Sequence, residues 1–168
     1  DILAAHQLKE AILMALIKRL QTGKGSYVSV SLIDTAIASL ANQATNWLMA
    51  KHIPQRMGTL HPNIAPYGET FMTADDKQIV LAVGSDKQFA SLCMILNKNE
   101  WTQDPRFATN TARVQHRELL QSLMQPLIAT QNRDALLQQM IDNNVPAGAV
   151  RNMQEVFEVP ENQALVLH

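Results

Sequence analysis

Apolar positions recur at helical spacing over the first fifth of the chain and change period further on. Leu8, Ile12, Leu16 and Leu20 stand four apart, with Leu13 and Ile17 beside them. This spacing predicts a helix over 2–21, and its middle, apolar on most faces, predicts deep burial. Gly23 and Gly25 of TGKG end it, because glycine accepts the left-handed conformation of a helix C-terminus. In YVSVSL, Val28, Val30 and Leu32 alternate with Tyr27, Ser29 and Ser31, the period of a short strand. SLID reads as a capping box that opens a second helix running to about Lys51, with Ile37, Leu40, Ala44, Trp47 and Leu48 on one stripe.

The pattern then breaks. IPQRMGTLHPNIAP holds Pro54, Pro62, Pro66 and Gly58, which reads as an extended connection over 54–66 between a first region (1–53) and a second (67–168). YGETFMT and QIVLAVG flank the polar turn ADDK and predict a β-hairpin. Ser85, with Gln88 three residues on, caps a helix that extends through Leu96. A helix over about 111–130 carries Leu119, Leu120, Leu123 and Leu127 on its apolar side, and Pro126 should kink it or end it early. A further helix covers 133–142, NNVPAGAV turns into a short strand, and MQEVFEV and ENQALVL are helical pieces separated by Pro160. The layout is helix, strand, helix, connection, then a small α/β unit. A lone strand between two helices lacks partners for a sheet, and the chain opens on Asp1 rather than Met. Both features point to a longer polypeptide.

Composition narrows the function. With 168 residues, 46% hydrophobic and 17% charged, the chain can build a core. Lys+Arg 14 against Asp+Glu 15 leaves a net charge of -1, which provides no basic patch for nucleic acid or an anionic membrane. The longest apolar run, AILMALI at 11–17, is far short of the roughly 20 residues of a membrane span. The chain starts without the basic-then-apolar signature of a secretory signal, and its single cysteine, Cys93, fits a reducing compartment. A cytoplasmic location is therefore expected.

Chemistry-bearing residues are few. The five histidines, His6, His52, His61, His116 and His168, form no ligand pair, so no metal site is expected. Cys93 lies between Leu92 and Met94 in a helix and reads as a core thiol. Asp1 admits two readings. At a helix start it can satisfy orphan N–H groups and suit the dipole. The same placement keeps a carboxylate ionised and exposed, ready to attack an electrophile. TLHPNIAPY is either a plain linker or a polar contact surface presented by His61 and Asn63.

The ordered set D-x-L-x-A, A-I-L-x-A-L-I-x-R-x-x-T-G-K-G, V-x-V-S-L, HPNIAPY, TADDKQIVLAVGSDKQFASLC, DPRFATNTARVQHRELL and NNVPAGAVRNMQEVF resembles the class III CoA-transferases. That family includes formyl-CoA, carnitine and succinyl-CoA:dicarboxylate CoA-transferases and α-methylacyl-CoA racemase. The resemblance implies an interlocked homodimer. It also implies a helix–strand–helix part of a large domain followed by a small α/β domain, with a Rossmann-like CoA-binding part upstream. It places the nucleophilic aspartate on Asp1, 21 positions before Thr22. It sets HPNIAPY, through His61, Asn63, Ala65 and Tyr67, beside the acyl group. The implied activity moves CoA between carboxylic acids through aspartyl anhydride and aspartyl-CoA thioester intermediates. Its substrates are an acyl-CoA and a small carboxylic acid, with no resident cofactor. The chain departs from the pattern where prolines replace a mobile glycine-rich loop, where Ala5 replaces a common glycine, and where Asp76 takes the usual glycine of the hairpin turn. Two alternatives stay open at this point: a racemase that uses the same aspartate as an acid/base, and a non-catalytic helical interaction module.

Overall fold

The first helix, α1, spans Ile2–Thr22 and ends on Gly23, whose φ of 71° is left-handed and whose N–H donates to the Arg19 carbonyl. A computed structural model describes residues 1–166 as two units, Asp1–Arg56 and the chain from Met57 onward. The last residues of ENQALVL and of the histidine set, Leu167 and His168, lie outside the described residues.

The first unit differs from expectation in three ways. First, no α1 residue is buried in the chain, and Leu16 keeps 46% and Leu20 87% of their surface. An apolar stripe is buried only where other elements cover it, and only the short helices α2 (Leu32–Ala38) and α3 (Ala41–Ala50) share its unit. Second, YVSVSL forms no strand: the sheet of the described residues has three strands, all in the second unit. The helix–strand–helix expectation is corrected to helix, extended segment and two helices. Alternation predicts a strand only where a neighbour completes the hydrogen-bond ladder. Third, the helix expected to run to Lys51 is broken. The Thr35 hydroxyl donates to the Ser31 carbonyl at 2.9 Å and the Ser39 hydroxyl to the Thr35 carbonyl at 2.7 Å, and Ala41 takes a φ of 49°. Hydroxyls that bond back to the preceding turn compete with helix continuation. The Ser31 cap itself forms, accepting from the Asp34 N–H.

The second unit is built on an antiparallel sheet, β1 (Tyr67–Met72), β2 (Gln78–Ala82) and β3 (Ala147–Val150), in that order. Phe71 pairs with Ile79, and Ile79, Leu81 and Val83 put one face into the core. The ADDK hairpin turn forms as expected. Asp76 has a φ of 56°, the left-handed conformation that a glycine would take without strain. The turn is fastened by Asp75, whose carboxylate accepts from the Thr73 hydroxyl at 2.8 Å and the Arg133 N–H at 2.9 Å.

The helices that cover the sheet are α4 (Asp86–Ile95), α5 (Asn110–Gln115), α6 (Arg117–Ile128) and α7 (Arg133–Asp142), with α8 (Met153–Phe157) and α9 (Pro160–Gln163) following β3. The Ser85–Gln88 capping box opens α4 as its residue types demand. The single helix expected over 111–130 divides at His116, and the buried face of α6 is Arg117, Leu120, Met124 and Ile128. Pro126 lies inside α6 without ending it early. It forfeits one backbone bond near the end of the helix, while Met124 and Ile128 on either side are fully buried and hold the turn.

Candidate functional site

Asp1 stands at the N-cap of α1, and its carbonyl accepts the first helical bond from the Ala5 N–H at 2.9 Å. Its side chain makes no capping hydrogen bond, so the expectation that the carboxylate satisfies the helix's orphan N–H groups is corrected. The residue is exposed and opens onto a groove of about 520 Å³ between the first turn of α1 and α2. That volume suits part of a small molecule. The groove is largely apolar, with Leu3, Leu32 and Ala36 beside the hydroxyl residues Thr35 and Ser39. Thr35 is buried, and its single proton is shared between Gln7 Oε1 and the Ser31 carbonyl, both at 2.9 Å. The Asp1 carboxylate thus stands uncapped at the positive end of a 21-residue helix, beside an apolar wall. Neither Thr35 nor Ser39 stands out in the sequence, where both read as ordinary cap and helix residues.

The HPNIAPY segment belongs to the second unit and is held there by side chains of α5 and α6. Asn110 donates to the Asn63 carbonyl at 2.8 Å and accepts from the Ala65 N–H at 3.2 Å. Arg113 donates Nε–H to the Ala65 carbonyl at 2.8 Å. Arg117 reaches both the His61 and the Ile64 carbonyl from one Nη2, each at 2.6 Å. Of the sequence-predicted residues, His61 and Tyr67 come together: their rings meet edge to face with centroids 5.2 Å apart, and the His61 N–H donates to the Tyr67 carbonyl. The Asn63 N–H donates to His61 Nδ1 at 3.1 Å, an acceptor role that assigns the ring proton to Nε2. Ala65 is fully buried with its N–H and carbonyl both engaged. Asp1 lies in the first unit and these four residues in the second.

Arg113, Arg117 and Glu69 escape a reading by residue type, since charged residues are rarely buried, and Asn110 reads as an ordinary polar residue. The legible signal is the four-residue spacing of Arg113 and Arg117 in DPRFATNTARVQHRELL, although the break at His116 puts the two on successive helices rather than on one helical face. Arg113 is fully buried: it donates to the Phe107 carbonyl and to Asp86, and it lies 4.4 Å over the Phe89 ring. Arg117 faces Glu69 at 3.4 Å, and both are buried. Burial pushes the Glu69 carboxyl above its ordinary range, and Arg117 only partly offsets this. Cys93 is fully buried and its thiol is pushed up to about 12 by the same cause, in accord with a core thiol. Among the described residues no group of three or more His, Cys, Asp or Glu could hold a metal, and no helix is long and apolar enough to cross a membrane.

Comparison with known proteins gives this geometry a context. The family model for CoA-transferase family III matches residues 1–167. The chain is 39% identical over 164 residues to a succinate–glutarate CoA-transferase of Agrobacterium fabrum, covering 98% of this chain and 40% of that protein. It is 33% identical over 158 residues to the succinyl-CoA:glutarate CoA-transferase of Mus musculus, covering 94% of this chain and 35% of the relative. A crystal structure of a CAIB/BAIF family protein from Brucella suis superposes with a TM-score of 0.74 at 40% identity, over 96% of this chain and 42% of that one. The chain thus spans well under half the length of these relatives, yet its match runs from end to end: it belongs to CoA-transferase family III.

Proposed function

We propose that the chain carries the nucleophile of an enzyme that moves CoA between carboxylic acids, with Asp1 as that nucleophile. The observation that carries this reading is the Asp1 carboxylate itself, exposed on the groove of α1 and α2 and not consumed as a cap. Asp1 attacks the thioester carbonyl of an acyl-CoA and expels CoA thiolate, which leaves a mixed anhydride. The thiolate attacks the aspartyl carbonyl, releases the donor carboxylate and forms an aspartyl-CoA thioester. The acceptor carboxylate attacks that thioester and expels the thiolate again. The thiolate then takes the new acyl group and restores the Asp1 carboxylate. One difficult exchange is split into acyl transfers of similar difficulty. N–H groups of the first turn of α1 are suited to support the oxyanion at the aspartyl carbon.

His61, Asn63 and Tyr67 are assigned to the acyl group, with Ala65 held behind them. An upstream CoA-binding part and an interlocked homodimer, acting in the cytoplasm with CoA thioester as substrate and no resident cofactor, complete the reading. The relatives are named for succinate and glutarate transfer, which favours dicarboxylates as substrates and CoA transfer over α-proton exchange.

The test is chemical trapping. The full-length protein incubated with an acyl-CoA and treated with hydroxylamine or borohydride should be modified at Asp1. Asp1→Ala should lose the adduct and at least about a thousandfold in kcat, with an unchanged unfolding midpoint. Full activity in Asp1→Ala would leave the residue a mere helix start.

A further inference from the structure

Arg117 is in an unusual position for a structural cation. It lies nine-tenths buried at the start of α6, and its two ion-pair and hydrogen-bonding nitrogens face in different directions. Nε meets the Glu69 carboxylate at 3.4 Å. Nη2 donates at 2.6 Å to two carbonyls three residues apart, those of His61 and Ile64. Three polar atoms of the pair, both Glu69 oxygens and Arg117 Nη1, are buried without a well-formed hydrogen bond, although the backbone amides of Glu69 and Tyr67 lie close enough to the carboxylate to favour its charge. Apolar side chains of similar volume would hold α6 against β1 without leaving such atoms unsatisfied. Apolar side chains could not hold two carbonyls of one turn at a fixed separation.

That turn contains Asn63, whose N–H fixes the His61 tautomer, and His61 stacks edge-on against Tyr67. We propose that Arg117, oriented by Glu69, is a positioning residue. By clamping the His61 and Ile64 carbonyls it holds the turn in the shape that keeps the Nε2–H tautomer of His61 and the His61–Tyr67 pair set for the carboxylate substrate. The role for substrate rests on the proposed assignment of His61, Asn63 and Tyr67 to the acyl group, whereas the clamp itself does not. Glu69 acts on the substrate only through Arg117, and Arg117 only through the turn.

The experiment uses the full-length protein with Arg117→Met and Glu69→Gln, compared with the parent in two readouts. The first is the ¹⁵N chemical shifts of the His61 ring, which report the tautomer. The second is the KM of a dicarboxylate acceptor, succinate or glutarate, read against kcat. Arg117→Met should mix the two His61 tautomers and raise the acceptor KM about tenfold, with a smaller change in kcat. Glu69→Gln keeps the shape, removes the charge that orients Arg117, and should move both readouts the same way by a smaller factor. It carries the test if Arg117→Met does not fold. An unchanged His61 signature in a folded variant overturns the clamp. A changed signature with an unchanged acceptor KM overturns the acyl-group assignment and with it the role for substrate, while the clamp stands.

Discussion

The first 56 residues and the residues from Met57 onward use similar apolar patterns to different ends. In α1, Leu8, Ile12, Leu16 and Leu20 recur at helical spacing, and not one is buried in the chain. In α6, Leu120, Met124 and Ile128 recur at the same spacing, and all three are essentially sequestered, together with Ile79 and Leu81 of the sheet. Thr35 is the first unit's buried residue, whereas the second encloses a continuous core from Phe71 to Val145. The division also separates chemistry from framework. The candidate nucleophile stands on the helix that its own unit leaves uncovered, and the segment assigned to the acyl group hangs on a unit that is closed by its own side chains. Periodicity states which face of a helix seeks burial, and the surrounding elements decide whether it is met.

This contrast can be broken most directly by equal truncations in the two regions. In the 168-residue chain, Leu81→Ala should lower stability by about 2–5 kcal/mol, since Leu81 is fully enclosed. Leu16→Ala, at a residue 46% exposed, should cost less than about 1 kcal/mol. Denaturant unfolding measures both, and equal costs would show that α1 is as well packed as the sheet.

The next effect sharpens how closely the 57–66 segment is moulded to β1. Gly68 has a φ of 93°, and a Cβ there would stand 1.9 Å from the Thr59 carbonyl oxygen, a backbone atom that cannot swing aside. The Thr59 hydroxyl in turn donates to the Gly68 carbonyl at 2.6 Å. Gly68→Ala should therefore cost at least about 2 kcal/mol, from both the left-handed backbone and the collision. A thermal midpoint close to the parent's would show that the 57–66 segment yields easily.

The smallest effect concerns the hairpin end of the second unit. The Arg133 N–H and the Thr73 hydroxyl hold the Asp75 carboxyl down to about 2, against an ordinary 3.8. A carboxylate with a depressed folded-state value stabilises the fold above its unfolded value, and that contribution is lost as pH falls from 3.8 towards 2. Asp75→Asn should flatten the acid limb of stability in this window and leave stability near pH 7 only modestly changed. The Asp104 carboxyl, also held to about 2 by the side chain of Arg106, keeps a residual slope. Unfolding midpoints at pH 5 and pH 2.5 check this, and an unaltered slope in Asp75→Asn would assign the acid sensitivity elsewhere.

Much of the second unit was legible because its signals are local. The Ser85–Gln88 box and the ADDK turn between alternating runs each depend on neighbours within a few residues, and each appears as the residue types require. The strand expected at YVSVSL failed because strands need partners that no local pattern supplies. The helix break at His116 and the survival of Pro126 were decided by which side chains the core accepts.

By itself the sequence determined the glycine stop of the first helix, the Ser31 and Ser85 caps, the hairpin and, through its ordered motifs, the resemblance to class III CoA-transferases. These follow from backbone propensity and short-range bonding, which act along the chain. Only the tertiary structure decided that the Asp1 carboxylate leaves its cap unmade and faces a groove, that α1 stays uncovered within the chain, and that Arg113, Arg117 and Asn110 hold the HPNIAPY turn from about fifty residues away. The carbonyls these side chains hold carry no residue type of their own, so no pattern of letters announces them.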